Sequence, residues 1–230
     1  NVTIENNTIS NTNTSNGSDK GAVRLYGTDF NGPIIVQNNK LTSSFNGVAI
    51  KDGQDISGKT IVITDNDLSG YNVPSSSSIY NGASAGTLDA ICNWYGTEDV
   101  LTIDASITGN VDFTPYLILD SGGSVNPSWD TANTYECSGI FPVENITQNL
   151  EYATVQAGIN DANAGDELQI VVPDHTEPAQ IIVDKNITLS GQGMTSTVLR
   201  PGVDTATSGD AGAFILVNDG ITFNLNNLTI

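Results

Sequence analysis

A short motif recurs in the first third of the chain and constrains the fold more than any other feature. Each copy has an apolar residue, two variable positions, an asparagine, one variable position and a second apolar residue. The copies are residues 4–9, 36–41 and 63–68, and their asparagines are Asn7, Asn39 and Asn66. The asparagines are 32 and 27 residues apart. The motif therefore marks a repeated unit of about 30 residues, a length that repeat proteins commonly show.

The motif predicts a short strand, a sharp corner and a second short strand. Apolar residues at alternate positions, such as Ile61 and Ile63, direct every second side chain to one face. Asparagine tolerates the left-handed backbone of a tight corner. Spacings of roughly 20 to 45 residues are typical of solenoids, so we expect Asn7, Asn39 and Asn66 at equivalent corners of successive coils, in a hydrogen-bonded ladder. An ordinary β-sandwich with Asn-Gly turns is the alternative.

The character of the sequence changes along the chain and predicts three segments. Residues 1–119 are interpreted as the C-terminal coils and closing cap of one solenoid. Residues 120–147 are rich in Gly, Ser, Asn and Pro and predict a linker or joint. Residues 148–230 begin with the one clear helical pattern, which Gly165 can end, and continue as the first coils of a second solenoid. Because both ends fall inside such patterns, we expect a part of a longer protein.

The charge of the chain excludes several classes of partner. The 230 residues carry 7 Lys and Arg against 26 Asp and Glu, a formal net charge of −19. Residues 60–184 contain no Lys or Arg. Nucleic acids and anionic membrane surfaces both require clustered basic side chains, so we expect neither as a partner. No apolar run approaches the roughly 18 residues of a membrane span, so we expect no membrane insertion.

Two parts of the chain resemble a known family. Residues 153–166, with the strand-like residues 168–172 and 182–193, resemble the opening of right-handed parallel β-helix domains, the pectate-lyase-like solenoids whose helix closes the first coil. The sequence Cys92-Asn93-Trp94-Tyr95-Gly96-Thr97, together with residues 109–111 and 113–117, resembles the closing segment of such domains in very large surface proteins that bacteria of the Bacteroidota export by type IX secretion.

The resemblance implies an all-β fold that joins the end of one right-handed parallel β-helix to the start of the next, with one short N-terminal capping helix. It also implies an extracellular or cell-surface location. The O-linked glycosylation pattern of these proteins, Asp-Thr followed by a small apolar residue, occurs at Thr131 and Thr205.

The candidate catalytic residues form no recognisable set. A polysaccharide lyase or hydrolase needs paired carboxylates or a calcium-bound acidic cluster with a nearby base. Asp65 and Asp67 are the first candidates, with Asp52 and Asp55 one predicted coil earlier, but acidic residues beside corners are more often turn residues. His175 is the only histidine, and its polar neighbours predict a surface loop. We expect no catalytic residue, and a polysaccharide-active enzyme remains the alternative.

Metal binding and disulfide formation involve few residues. Calcium prefers the oxygen ligands that abound in this chain, with Asp65 and Asp67 as its first candidates, and we expect no other cofactor. Cys92 and Cys137 are the only cysteines. Two buried thiols are one possibility; we expect a disulfide, because one cysteine lies in the cap and the other in a linker that must fold back near it, and a secreted context permits the bond.

These observations together predict a structural and adhesive role. The chain is interpreted as a repeat segment of a giant secreted protein that is attached to a cell surface or forms a filament. Its expected partners are copies of itself and a carbohydrate or other cell-surface ligand. A non-catalytic carbohydrate-binding module is a further alternative to the enzyme.

Overall fold

The computed structural model describes residues 1–10, 19–27, 32–42, 45–71, 76–204 and 209–230. Strands make up 41% of the chain and helices 7%, so the packing of short strands determines the fold. The chain divides into two compact units, Asn1–Ile140 and Phe141–Ile230.

The first unit contains thirteen described strands and one helix. The strands are β1 (Val2–Glu5), β2 (Thr8–Ile9), β3 (Gly21–Leu25), β4 (Ile34–Gln37), β5 (Lys40–Leu41), β6 (Asn46–Ile50), β7 (Ile61–Thr64), β8 (Ser77–Asn81), β9 (Leu88–Asp89), β10 (Ile107–Thr108), β11 (Val111–Asp112), β12 (Tyr116–Leu119) and β13 (Tyr135–Gly139). The helix α1 (Val100–Ala105) lies between β9 and β10. One parallel sheet has the order β1-β4-β7-β9-β11 and another the order β10-β8-β6-β3, while β2 pairs with β5 and β12 with β13.

Alternation of side chains builds the core of the first unit. In β4 and β7 the first and third residues are buried and the others are less so. The parallel register places Ile34 beside Ile61 and Val36 beside Ile63, so the buried side chains of neighbouring strands stack in rows. Burial of a branched aliphatic side chain contributes roughly 1.5–3 kcal/mol, and these rows are a large part of what holds the sheet.

The second unit contains nine described strands and the helix α2 (Val155–Asp161). The strands are β14 (Val143–Asn145), β15 (Leu150–Tyr152), β16 (Glu167–Ile170), β17 (Asp174–Glu177), β18 (Ile181–Val183), β19 (Ile187–Ser190), β20 (Val198–Pro201), β21 (Ile215–Val217) and β22 (Phe223–Asn226). Five of them form a sheet of order β15-β14-β16-β19-β22, and β17 pairs with β20 and β18 with β21. Val155 and Ile159 of α2 join Leu168 and Leu189 in one buried cluster.

The start of α2 is held by a buried acidic side chain. The Glu177 carboxylate accepts hydrogen bonds from the backbone N–H of Val155 at 2.8 Å and of Gln156 at 3.1 Å. His175 Nε2 lies 2.9 Å from the same carboxylate. The surface-loop interpretation of His175 is therefore wrong, because its side chain is 6% exposed and lies in β17. A carboxylate at a helix N-terminus satisfies N–H groups that have no partner within the helix.

The prediction of a right-handed parallel β-helix solenoid, ending in one unit and starting again in the next, is wrong. Among the described residues the strands form seven small, separate sheets, and their orientation is mixed. Strand β12 pairs antiparallel with β13, and β14 pairs antiparallel with both β15 and β16. The sequence pattern locates short strands and corners, but it carries little information about which strands become neighbours.

The expected linker and the expected single helix also differ from the structure. The boundary between the units lies within residues 120–147, yet residues 120–140 belong to the first unit, where β13 pairs with β12. Helix α1 was not predicted. It buries Val100 and Ile103, three positions apart, but it is so short and so rich in β-branched residues that its pattern is equally typical of a strand.

Acid should weaken the second unit through Asp166. Its Oδ2 accepts hydrogen bonds from Asn145 Nδ2 at 3.0 Å, from Gln148 Nε2 and from the Asn163 backbone N–H at 2.8 Å. These donors, Asn145 first, hold the pKa of Asp166 below its ordinary value of 3.8. A carboxyl whose pKa is lower in the folded than in the unfolded protein stabilises the fold above its unfolded pKa and loses that contribution as the pH falls.

We therefore expect Asp166→Asn to lower the stability of the second unit at neutral pH and to make the loss below about pH 3.8 shallower than in the wild type. Urea unfolding of the full chain across an acid series, followed by hydrogen exchange of residues 143–190, measures both effects. Parallel pH curves for the two proteins would contradict the assignment.

Candidate functional site

Four asparagine side chains form a hydrogen-bonded row in the first unit, which we call the amide row. Asn39 Oδ1 accepts from the backbone N and from Nδ2 of Asn7, both at 3.0 Å. Asn66 Oδ1 accepts from the same two atoms of Asn39, both at 3.0 Å. Asn93 Oδ1 accepts from those of Asn66 at 3.0 and 2.9 Å. The structure thus brings Asn7, Asn39 and Asn66 together and adds Asn93.

Each inner carboxamide of the row also binds the backbone of its neighbours. Asn66 Nδ2 donates to the carbonyl oxygens of Val36 at 2.8 Å and Thr64 at 2.9 Å. Asn39 and Asn93 make the corresponding contacts one step along the row. Asn39, Asn66 and Asn93 are each 0% exposed, and a buried polar group is tolerated only when its hydrogen bonds are made. The amide row therefore ties strands of the parallel sheet together through side chains.

A residue with left-handed backbone immediately precedes each amide of the row and turns the chain at the end of a strand. The four corner residues, which we call the corner row, are Asn6, Asn38, Asp65 and Cys92, with φ of 58°, 57°, 55° and 56°. Asn and Asp are enriched in this conformation, so three of the four fit their corner well. Cys92 is the one corner residue that is neither Asn nor Asp, and it is distinguished by a covalent bond.

Cys92 forms a disulfide with Cys137 across 45 residues of sequence. The predicted bond is therefore confirmed. Both cysteines lie in the first unit, and Cys137 belongs to β13, so the bond fastens a part of that unit to its own corner row. We call β12, β13 and the residues 120–134 between them the closing hairpin.

Two consecutive residues of the closing hairpin, Ser128 and Trp129, form hydrogen bonds with the other three corner residues. The Ser128 backbone N–H donates to Asn38 Oδ1 at 3.0 Å, and Ser128 Oγ donates to Asn6 Oδ1 at 3.1 Å. The indole Nε1 of Trp129 donates to the carbonyl oxygen of Asp65 at 2.7 Å. Together with the disulfide, the hairpin contacts every member of the corner row.

An aromatic cluster packs at the turn end of the hairpin, where β13 begins. The ring of Tyr135 lies 5.3 Å from that of Trp94 and 5.1 Å from that of Trp129, centroid to centroid. The Tyr135 hydroxyl donates to Asp130 Oδ2 at 2.8 Å. Hydrogen bonds from Asn133 and then from Tyr135 lower the pKa of Asp130, while burial and the Asp130 carboxylate raise the pKa of Tyr135. At neutral pH the Asp130 carboxylate is therefore charged, and the Tyr135 phenol that donates to it is neutral.

The carboxylates that were candidates for calcium binding or catalysis interact with other residues of the chain. Asp67 Oδ2 lies 3.0 Å from Lys40 Nζ, and its Oδ1 accepts from the Ser69 backbone N–H at 3.0 Å. Asp65 occupies a corner, and partial burial raises the pKa of its carboxyl. Within the described ranges, no group of three His, Cys, Asp or Glu side chains is arranged to hold a metal ion. A calcium ion at Asp65 and Asp67 stays a prediction.

The two threonines proposed for glycosylation differ in what can be said of them. Thr131 is exposed in the turn that Asp130 caps by accepting from the Ala132 backbone N–H at 3.0 Å. Thr205 lies outside the described residues.

The comparisons with known proteins give no match. No family model, no curated protein and no solved structure is similar to this chain. In the part of the chain that the structure describes, no helix has the length and apolar character needed to cross a membrane.

The amide row should contribute strongly to stability at its centre. We expect Asn66→Leu to destabilise the first unit by about 4 kcal/mol, because it leaves buried partners on three sides without hydrogen bonds, each at a cost of about 1–3 kcal/mol. Chemical denaturation of the full chain, monitored by tryptophan fluorescence, measures the change.

Asn7→Leu is the matched control for this substitution. Asn7 makes the same kind of bond to Asn39, but it is exposed, so water can replace the lost partner and the expected cost is below about 1 kcal/mol. Equal costs at the two positions would show that the row is not the source of the stability.

Proposed function

We propose that this chain is a structural segment with an adhesive role, part of a giant secreted protein that is attached to a cell surface or forms a filament. The observation that carries this proposal is the use of the recurrent polar residues. The amide row and the corner row direct their hydrogen bonds to strands and to the closing hairpin of the same unit. Such an arrangement stabilises a scaffold and leaves function to its surface.

An extracellular location is supported by the disulfide. Such bonds persist in oxidising compartments and are rare in the reducing cytosol. The strongly acidic composition, with a net charge of −19, supports a role in which a highly charged surface remains dispersed in water. Export by type IX secretion stays a prediction.

The absence of catalysis is part of the proposal. The acidic residues that a polysaccharide lyase or hydrolase would use make internal contacts: Asp67 with Lys40, Asp52 with the Tyr80 hydroxyl at 2.7 Å, and Asp55 with the Ser57 backbone N–H at 2.9 Å. The last of these contacts also lowers the pKa of Asp55. Turn and surface contacts of this kind support a structural role for these side chains.

Cell-surface labelling tests the location. Antibodies raised against the purified chain should label intact cells of the organism that encodes it as strongly as permeabilised cells, and external protease should remove the label. A cytosolic protein of the same cells serves as the control for leakage. Labelling that appears only after permeabilisation would contradict the proposal.

Carbohydrate binding is a second candidate function, which one surface feature favours. Tyr26 is 70% exposed. The guanidinium carbon of Arg24 lies 5.3 Å from the centre of its ring, and Lys51 Nζ lies 4.9 Å from it. In the described part of the chain Lys51 forms no ion pair, although acidic residues are abundant. An exposed ring can stack on a sugar, and Lys51 can pair with an anionic substituent of it, whereas Arg24 is paired with Asp19.

We expect Tyr26→Ala to weaken binding to a soluble anionic polysaccharide about tenfold, since a stacking ring contributes on the order of 1–2 kcal/mol. Tyr26→Phe keeps the ring and should bind within about twofold of the wild type. Affinity electrophoresis in gels that contain the anionic polysaccharide or a neutral one of similar length measures the difference. Retention that is the same for all three proteins would exclude Tyr26 as a binding residue.

A further inference from the structure

We propose that the closing hairpin is a redox-held strap: the Cys92–Cys137 disulfide keeps its tip on the corner row, and reduction releases the tip while the parallel sheet stays folded. The proposal is independent of the cell-surface role, because it concerns the mechanics of the first unit alone. It rests on how unequally the hairpin is attached at the four corners.

The attachment is covalent at one end of the corner row and weak along the rest. At Cys92 the hairpin is bonded through Cys137. At Asn38 and Asn6 it is held by hydrogen bonds of Ser128 in an exposed position, and at Asp65 by the half-buried indole N–H of Trp129. Exposed hydrogen bonds exchange readily with water and contribute little on their own. The three non-covalent contacts therefore depend on a high local concentration of the hairpin tip at the corner row.

The disulfide supplies that local concentration. Trp129 is eight residues before Cys137 in the sequence, so a tip tethered at Cys92 can search only a small volume around Asp65 and Asn38. The cost of closing a short loop is smaller than that of closing a long one, and a tethered group binds its site as if it were concentrated. Without the bond, the tip keeps its non-covalent contacts, which are the pairing of β13 with β12 and the ring contacts of Tyr135, but it loses the covalent anchor at Cys92.

The sheet beneath the strap has separate means of support. Three of the four members of the amide row, Asn39, Asn66 and Asn93, are buried and bond to the strands around them, and the apolar rows of β4 and β7 do not include the hairpin. Loss of the strap removes contacts from one side of the corners and leaves these interactions in place. The expected reduced state is a folded unit with a mobile tip.

The chemistry of release is a thiol–disulfide exchange. A dithiol donates two electrons and two protons, so that the Cys92–Cys137 bond becomes two thiols and the dithiol becomes a disulfide. The same exchange run in reverse restores the strap.

Hydrogen exchange of the full chain, oxidised and after treatment with dithiothreitol under native conditions, tests the proposal. We expect the backbone N–H groups of residues 123–134 to exchange about tenfold faster after reduction, the change that the loss of one or two hydrogen bonds produces, while β4 and β7 keep their protection. The tryptophan emission should shift as well, because the two tryptophans of the chain both pack against Tyr135.

Three variants make the outcome decisive. Cys92→Ser combined with Cys137→Ser should show the fast exchange without reductant. Trp129→Phe keeps a ring on Tyr135 but removes the donor to Asp65, so it should loosen the tip of the oxidised protein; Trp94→Phe, at the other ring that packs on Tyr135, should leave the tip unchanged. Unchanged exchange of the tip after reduction would overturn the proposal. Faster exchange of β4 and β7 to the same extent would also overturn it, because the disulfide would then support the whole unit.

Discussion

The hydrogen bonds between buried carboxamides are the interaction on which the first unit depends. A carboxamide can donate and accept at once, so each inner asparagine accepts from one neighbour and donates to the next. It also reaches backbone carbonyls of the adjoining strand. Because a buried group without partners costs about 1–3 kcal/mol, the row fixes the register of the strands: a slip of one residue would leave every member of the row unsatisfied at once.

The closing hairpin complements the row by covalent means. The disulfide closes a loop of 45 residues. In the chain-entropy model this lowers the conformational entropy of the unfolded chain and stabilises the fold by about 4 kcal/mol. Aromatic residues make up 7% of the sequence, so large side chains are scarce. It is notable that three of them, Trp94, Trp129 and Tyr135, gather beside this one bond. The three large aromatic side chains therefore pack beside the disulfide, where the chain is also cross-linked.

Local features of this fold were predictable from sequence, and long-range ones were not. The spacing of Asn7, Asn39 and Asn66 follows from corners that repeat along the chain, and the same reasoning applied to Asn93, 27 residues after Asn66, would have extended the row. The bond between Cys92 and Cys137 was predictable because the chain has two cysteines and because one lies in the expected cap and the other in a segment that must fold back near it. The contacts of Ser128 join residues 90 and 122 positions apart, and no periodic pattern records them. The solenoid prediction failed for a different reason: consecutive strands pair antiparallel, β12 with β13 and β14 with β15, and alternation of apolar residues does not distinguish antiparallel from parallel pairing.

The neutrality of the amide row has a consequence for how the two units respond to their surroundings. Carboxamides do not titrate, so the bonds between Asn39, Asn66 and Asn93 are the same in acid as at neutral pH. In the second unit the carboxylate of Asp166 makes internal polar contacts of this kind, with Asn145 and Asn163, and protonation changes what a carboxylate can accept. An acidic environment would thus leave the hydrogen bonds of the amide row unchanged while it weakens the contacts that Asp166 makes in the second unit.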